Sequence, residues 1–132
     1  MNPLQMSLSE MAEGVRQQKL SSRDLVEFYR GRIQKFDKEI NSFISLNEEA
    51  GAEASRIDEA VKSGRSNGRL LGVPIGIKDL LCTKGLATTA GSKILSNFIR
   101  FLMITDSLDF KKIIAGYFGF YLSVSSLEGI VG

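Results

Sequence analysis

The stretch Leu70-Leu71-Gly72-Val73-Pro74-Ile75-Gly76-Ile77-Lys78-Asp79 decides how the rest of the chain is read. Its apolar run is short and rich in branched side chains, the pattern of a strand buried on both faces. Pro74 has no amide donor, which places it at a sheet edge or a strand end. Lys78 and Asp79 follow at once, so two charges stand where an apolar strand leaves the core. Reactive groups are often presented at such a point. A strand of this kind needs layers to cover it, and the residues before it are written as helices.

Ser7-Leu8-Ser9-Glu10 and Ser21-Ser22-Arg23-Asp24 each set a hydroxyl three residues ahead of a carboxylate. That spacing satisfies free amide donors at a helix start and predicts two helices. After the second, Leu25, Phe28, Tyr29, Ile33 and Phe36 recur three and four residues apart, predicting a helix from about Arg23 to Phe36 whose apolar face needs cover. Ala50, Ala54, Ile57 and Val61 repeat in the same way among strong helix formers and predict a third, from about Glu48 to Lys62. The glycines and polar residues of Ser63 to Arg69 then read as an exposed turn. The expected fold class is therefore α/β, with three amphipathic amino-terminal helices laid against the strand. Residues 1–69 form the helical layer, 70–98 the lysine-bearing strand and loop, and 99–132 a divergent tail.

The tail differs in composition, holding 6 of the 32 charged residues but 6 of the 11 aromatics. Its longest apolar stretch, Ile113 to Val124, contains two glycines. It falls short of the roughly 20 residues that a membrane-spanning helix needs, so a buried segment is predicted and no membrane is expected as a partner. Met1 to Glu10 has no basic segment leading into an apolar run, so it does not read as a secretory signal, and the cytoplasm is the expected location. No repeat or low-complexity tract is present.

Composition narrows the chemistry. At 132 residues with 43% hydrophobic content, the chain fits one globular domain or part of one. Its 17 basic and 15 acidic residues leave a net charge of +2, too small to mark nucleic acid as a direct ligand. There is no histidine, which excludes Ser-His-Asp and Cys-His catalysis and every metal site built on imidazole. A single cysteine, Cys82, permits neither an internal disulfide nor a zinc cluster and fits a reducing compartment.

Without histidine, a hydroxyl nucleophile needs another base, and a lysine serves if burial or neighbouring cations favour its neutral form. Lys78 is the candidate catalytic residue, because it follows an apolar strand in which Gly72 and Gly76 allow close backbone approach. On residue types alone, a strand-end lysine paired with a carboxylate is the favoured explanation. The run from Gly72 to Lys78 is not a phosphate loop, since Ile77 separates Gly76 from Lys78 and Asp79 stands where a magnesium-binding hydroxyl belongs. Cys82 reads as an inert buried thiol, and Thr88, Thr89, Ser92 and Lys93 as a polar loop and helix cap.

Residues 71–98, running from Leu71-Gly72-Val73-Pro74-Ile75-Gly76-Ile77-Lys78-Asp79 through Cys82-Thr83-Lys84-Gly85 and Thr88-Thr89-Ala90-Gly91-Ser92-Lys93 to Phe98, resemble the lysine-bearing segment of the amidase-signature enzymes. The stretches around Cys82 and from Gly91 to Phe98 are more similar to the A-subunit branch of glutamyl-tRNA(Gln) amidotransferases than to general amidases. Ser21 to Leu25 and Asn41 to Ile44 fit the same family's amino-terminal layer, so the resemblance covers about residues 5 to 98. It implies a Ser-cisSer-Lys triad that hydrolyses the amide of glutamine, with Lys78 as the triad lysine acting through a bridging serine.

The resemblance also implies partner subunits B and C, tRNA met only through the complex, and ATP and Mg used by the partner, with no cofactor in this chain. Both triad serines belong to a glycine- and serine-rich segment with no counterpart here. Ser123, Ser125 and Ser126 lack the surrounding glycines, so the chain alone is expected to be inactive. The abrupt loss of likeness after about Phe98 predicts a truncated or frameshifted gene, and the incomplete mixed sheet predicts marginal stability. A noncatalytic partner-binding module and a fragment of a general amidase are the competing expectations.

Overall fold

The computed structural model describes residues 2–65, 68–79 and 88–95, and the main chain of 121–124. After a short 3-10 turn at Pro3–Gln5, the order is α1 (Leu8–Arg16), α2 (Ser22–Ile40), β1 (Phe43–Leu46), α3 (Ala50–Lys62), β2 (Ile75–Lys78) and β3 (Tyr121–Val124). The three helices fall where the cap at Ser7 and the apolar spacing of the second and third put them, and the mixture of helices and a sheet is the expected α/β class.

α1 begins with a complete capping box. The Glu10 amide donates to Ser7 Oγ at 3.2 Å, and the Ser7 amide donates to Glu10 Oε2 at 2.7 Å. At α2 the reciprocal half is supplied from elsewhere. The Asp24 amide donates to Ser21 Oγ at 3.2 Å. Asp58 of α3 then accepts from the Ser22 amide at 2.7 Å, the Arg23 amide at 3.2 Å and the Ser21 hydroxyl at 2.8 Å. One carboxylate thus closes the positive end of α2 and ties α2 to α3. Asp58→Ala leaves those donors without it and is expected to lower stability by about 2 kcal/mol, read as a shift of the urea unfolding midpoint at unchanged slope.

α2 runs four residues past the predicted Phe36, because Asp37 organises its end. The Asn41 amide donates to the Asp37 carbonyl at 2.7 Å, and Asn41 takes the left-handed conformation at φ 53°, which asparagine tolerates. The Asp37 carboxylate accepts from the Ser42 amide at 2.8 Å, the Phe43 amide at 3.1 Å and the Ser42 hydroxyl, turning the chain into β1. The bond from the Ser42 hydroxyl, joined by the two amides and opposed by burial, holds the Asp37 carboxyl below its ordinary 3.8. A depressed folded value means the stabilisation is present above 3.8 and is lost as pH falls through the lower folded value. The difference in melting temperature between the native chain and Asp37→Asn should therefore shrink on acidification below pH 3.8, which a pair of thermal melts across that range measures.

The core lies between the helices. Val15 of α1, Leu25 and Val26 of α2, and Ala54 and Ile57 of α3 meet Leu71 and Val73 there. This corrects the strand expected from Leu70. Residues 70–73 form a tight turn instead, in which the Val73 amide donates to the Leu70 carbonyl at 3.2 Å and Gly72 takes φ +69°. A positive φ at the third turn position is the requirement of a type II turn, and glycine meets it without strain. Leu71, at 0% exposure, and Val73, at 1%, therefore enter the helical core, each gaining about 1.5–3 kcal/mol from burial, while only Ile75–Lys78 remains as strand. The turn is locked from the helix side, where the buried Ser22 hydroxyl donates to the Gly72 carbonyl at 2.8 Å. Pro74 precedes β2, at the strand end predicted for it.

Among the described residues the sheet has three strands in the order β1-β3-β2, with β3 antiparallel to β1 and parallel to β2. Ile75 pairs with Tyr121, Gly76 with Leu122, Ile77 with Ser123 and Lys78 with Val124. The register on the β1 side slips between Phe43 and Ser45, so Phe43 opposes Val124 and Ser45 opposes Ser123. The apolar stretch ending at Val124 thus supplies the central strand. β1 departs from the expectation that residues 1–69 hold only helices and turns.

Candidate functional site at the end of the lysine strand

β2 alternates as a strand should: Ile77 is buried, Lys78 exposed and Asp79 buried. The first charge therefore points away from the packed side and the second into it. Lys78 is also held on one flank by pairing with Val124 of β3. The apolar envelope expected around its amine is not formed by the described residues, which leave the side chain open.

Asp79 is 5% exposed and lies at the centre of a local network. Its carboxylate accepts from the Thr89 amide at 2.9 Å, the Gly91 amide at 3.2 Å and the Thr89 hydroxyl. Its main-chain carbonyl accepts from the Ala90 amide at 3.3 Å. Residues 89–92 form a turn closed by the Ser92 amide donating to the Thr89 carbonyl at 2.8 Å, with Ala90 at φ 49° and Gly91 at φ 72°. Two successive positive φ values match a type I′ turn, and at Ala90 that geometry carries a side chain into a region that L-residues disfavour. A buried carboxylate anchored by several donors is well suited to hold such a turn in place.

Thr88 and Thr89 are buried, so the polar loop predicted for Thr88, Thr89, Ser92 and Lys93 exists, but one of its hydroxyls is committed to Asp79. A short 3-10 turn at Lys93–Leu95 follows, with the Leu95 amide donating to the Ser92 carbonyl at 3.1 Å. In the sequence Asp79 stands out only as a charge beside Lys78, and this clamp escapes notice. Its one signal is an aspartate leaving an apolar strand ten residues ahead of a paired threonine. Cys82, Ser125 and Ser126 lie outside the described residues, and Ser123 is described only as main chain, beside Ile77. Among the described residues no group of three or more carboxylate, thiol or imidazole side chains is placed to hold a metal ion, and no helix is long and apolar enough to cross a membrane.

The fold and sequence have relatives. Peptide amidase from Stenotrophomonas maltophilia superposes at a TM-score of 0.68 with 30% identity, over 72% of this chain and 20% of that one. An amidase family protein from Bacillus anthracis superposes at 0.75 with 27% identity, over 91% of this chain and 24% of that one. In sequence, the glutamyl-tRNA(Gln) amidotransferase A-subunit of Acinetobacter baumannii is 47% identical over 95 residues, 71% of this chain. That of Bdellovibrio bacteriovorus is 45% identical over 93 residues, 70% of this chain. The chain spans 19% of the length of each of these two curated relatives. The pattern of the Amidase family matches residues 24–103, which include all but the first two residues of α2, and α3, β2 and the turn clamped by Asp79. This chain belongs to the amidase family.

Proposed function

We propose that the chain is the amino-terminal part of an amidase-type subunit that hydrolyses the amide of glutamine, within a glutamyl-tRNA(Gln) amidotransferase. The observation that carries this reading is the 45–47% identity to the A-subunits of two such enzymes over 93 and 95 residues, about 70% of this chain. Lys78 is the proton-accepting group. In its neutral form it takes a proton through a bridging serine from a nucleophilic serine, which attacks the carboxamide carbon. An acyl-enzyme forms, the lysine returns the proton to the leaving nitrogen, and ammonia departs. Ammonia then serves to convert Glu-tRNA(Gln) to Gln-tRNA(Gln), the tRNA being met only through the complex with partner subunits B and C, and ATP and Mg being used by the partner.

On this reading the glycine- and serine-rich segment that carries both serines has no counterpart in residues 1–132, and the chain alone is proposed to be inactive while keeping the base. Glutamine hydrolysis by the purified chain, alone and with subunits B and C, is the direct test. No ammonia release supports an inactive part, whereas release abolished by Lys78→Ala means a serine of this chain completes the site.

One observation favours a second reading, that of a noncatalytic partner-binding module. Phe36 and Ile40 are exposed and line a groove with Ile33, Phe43 and Pro74, which leaves apolar surface open at the end of α2. Binding of B and C that is lost in Phe36→Asp and Ile40→Asp, together with glutamine hydrolysis undiminished by Lys78→Ala when residues 1–98 replace the matching segment of a catalytic A-subunit, would select it.

A further inference from the structure

We propose that Asp79 is a positioning residue for Lys78, fixing the lysine's direction by clamping the turn at residues 89–91 across the end of β2; this role rests on Lys78 being the proton-accepting lysine.

The geometry is one of alternation. Neighbouring residues at a strand end face opposite ways, so anchoring Asp79 inward sets where Lys78 is carried outward. Pairing with Val124 holds β2 from the side, but among the described residues Lys78 is the last paired one. Beyond it, among the described residues, the strand end is held against twisting by the Asp79 network: the amides of Thr89 and Gly91 and the Thr89 hydroxyl on the carboxylate, and the Ala90 amide on the carbonyl. The clamp reaches from side chain and main chain of one residue to three consecutive residues. A rotation at residue 79 would break these contacts together. A flexible four-carbon lysine gains most from such support, because its own stem does not restrict it.

The turn adds a second argument. Thr89 Oγ1 accepts from the Gly91 amide at 3.2 Å while its hydrogen goes to Asp79. The threonine is therefore a relay inside the clamp. Ala90 is held at a positive φ that its side chain disfavours, and such a conformation persists only where surrounding bonds impose it. The structure commits a buried carboxylate to holding a disfavoured turn at the one strand end that carries Lys78.

The test uses the full chain with its lysines reductively methylated with ¹³C, the Lys78 signal being assigned by its loss in Lys78→Arg. Asp79→Asn keeps the shape but replaces one acceptor by a donor facing other donors. It is expected to displace or split the Lys78 methyl signal while those of Lys19 and Lys35, on the helical side, stay in place. Thr89→Val should reproduce the change, and Thr89→Ser, which keeps the hydroxyl, should restore the native signal. Asp58→Asn disturbs a comparably bonded carboxylate in the helical layer and should leave Lys78 unmoved.

The proposal is overturned if Asp79→Asn and Thr89→Val release the Thr89 and Gly91 amides to hydrogen exchange yet leave the Lys78 signal where it was. It is equally overturned if Asp58→Asn moves that signal as much. Should Asp79→Asn fail to fold, the Thr89→Val and Thr89→Ser pair decides alone. No turnover enters this experiment, so an inactive Lys78 would be revealed by activity measurements and a clamp without influence would be revealed here.

Discussion

Lys78→Ala should lower glutamine hydrolysis by about 10²–10⁴-fold in a hybrid in which residues 1–98 replace the matching segment of the Acinetobacter baumannii A-subunit. The hybrid is reasonable because 95 residues align at 47% identity, so the lysine strand enters a closely related setting. Removing a general base forfeits the proton transfer while leaving substrate contacts in place, so kcat should fall far more than KM changes. Lys78→Arg is the sharper control. A guanidinium keeps the positive charge but does not deprotonate, so it should be as inactive as alanine if the lysine works as a base. Activity retained in Lys78→Ala would reject the proposed role outright. Activity retained in Lys78→Arg alone would reduce the lysine to a fixed charge.

Gly72→Ala should be the most damaging substitution in the helical core. A Cβ there would stand 2.9 Å from Val15 Cγ1 and 3.0 Å from both Cβ and Oγ of Ser22, all on packed helices. Gly72 also holds φ +69°, where a side chain costs about 1–2 kcal/mol in backbone strain before any clash. Overpacking adds about 1–3 kcal/mol, giving a total of about 2–5 kcal/mol, a large part of a small domain's stability. Gly64→Ala separates the two contributions. Its φ is +68°, yet nothing lies within 4 Å of its added Cβ, so only the backbone part should be lost. Urea unfolding of the two variants reads the difference directly. Equal losses would show that the turn yields and that the Val15 and Ser22 contacts are not rigid.

The contrast between what can be read in the chain and what cannot follows the range of the interactions. Ser7 and Ser21 announce their helices because a cap acts over three residues, and the apolar spacing from Leu25 continues the second signal. Asp58 is invisible as a partner of Ser22, since the two are brought together only when α2 and α3 pack. β1 escapes because four residues, Phe43 to Leu46, are too few to show a period, and their pairing partner lies in a segment far along the chain. The apolar run at Leu70 looks like a strand throughout because hydrophobicity does not distinguish a residue facing a sheet layer from one buried in a turn. Gly72 is the clue that the run breaks.

At the site, the position of Lys78 at the end of a strand is a local property and is legible. Its exposure is not, because desolvation depends on everything packed around a group and not on the apolar residues before it. The Asp79 clamp depends on a turn in which Ala90 adopts an unusual φ, which residue types alone do not signal.

The strand order has a consequence for how the chain is made. β3 lies between β1 and β2, yet it is synthesised after both. A nascent chain therefore emerges with its helical layer complete and with two short strands that have no partner between them. At about 5–20 residues per second, the ribosome leaves the lysine strand with an open edge for several seconds before its neighbour arrives. During that interval any other extended segment competes for the same hydrogen bonds. Slowing elongation after residue 79 should therefore raise the fraction of chains lost to aggregation, even though the finished protein is unchanged.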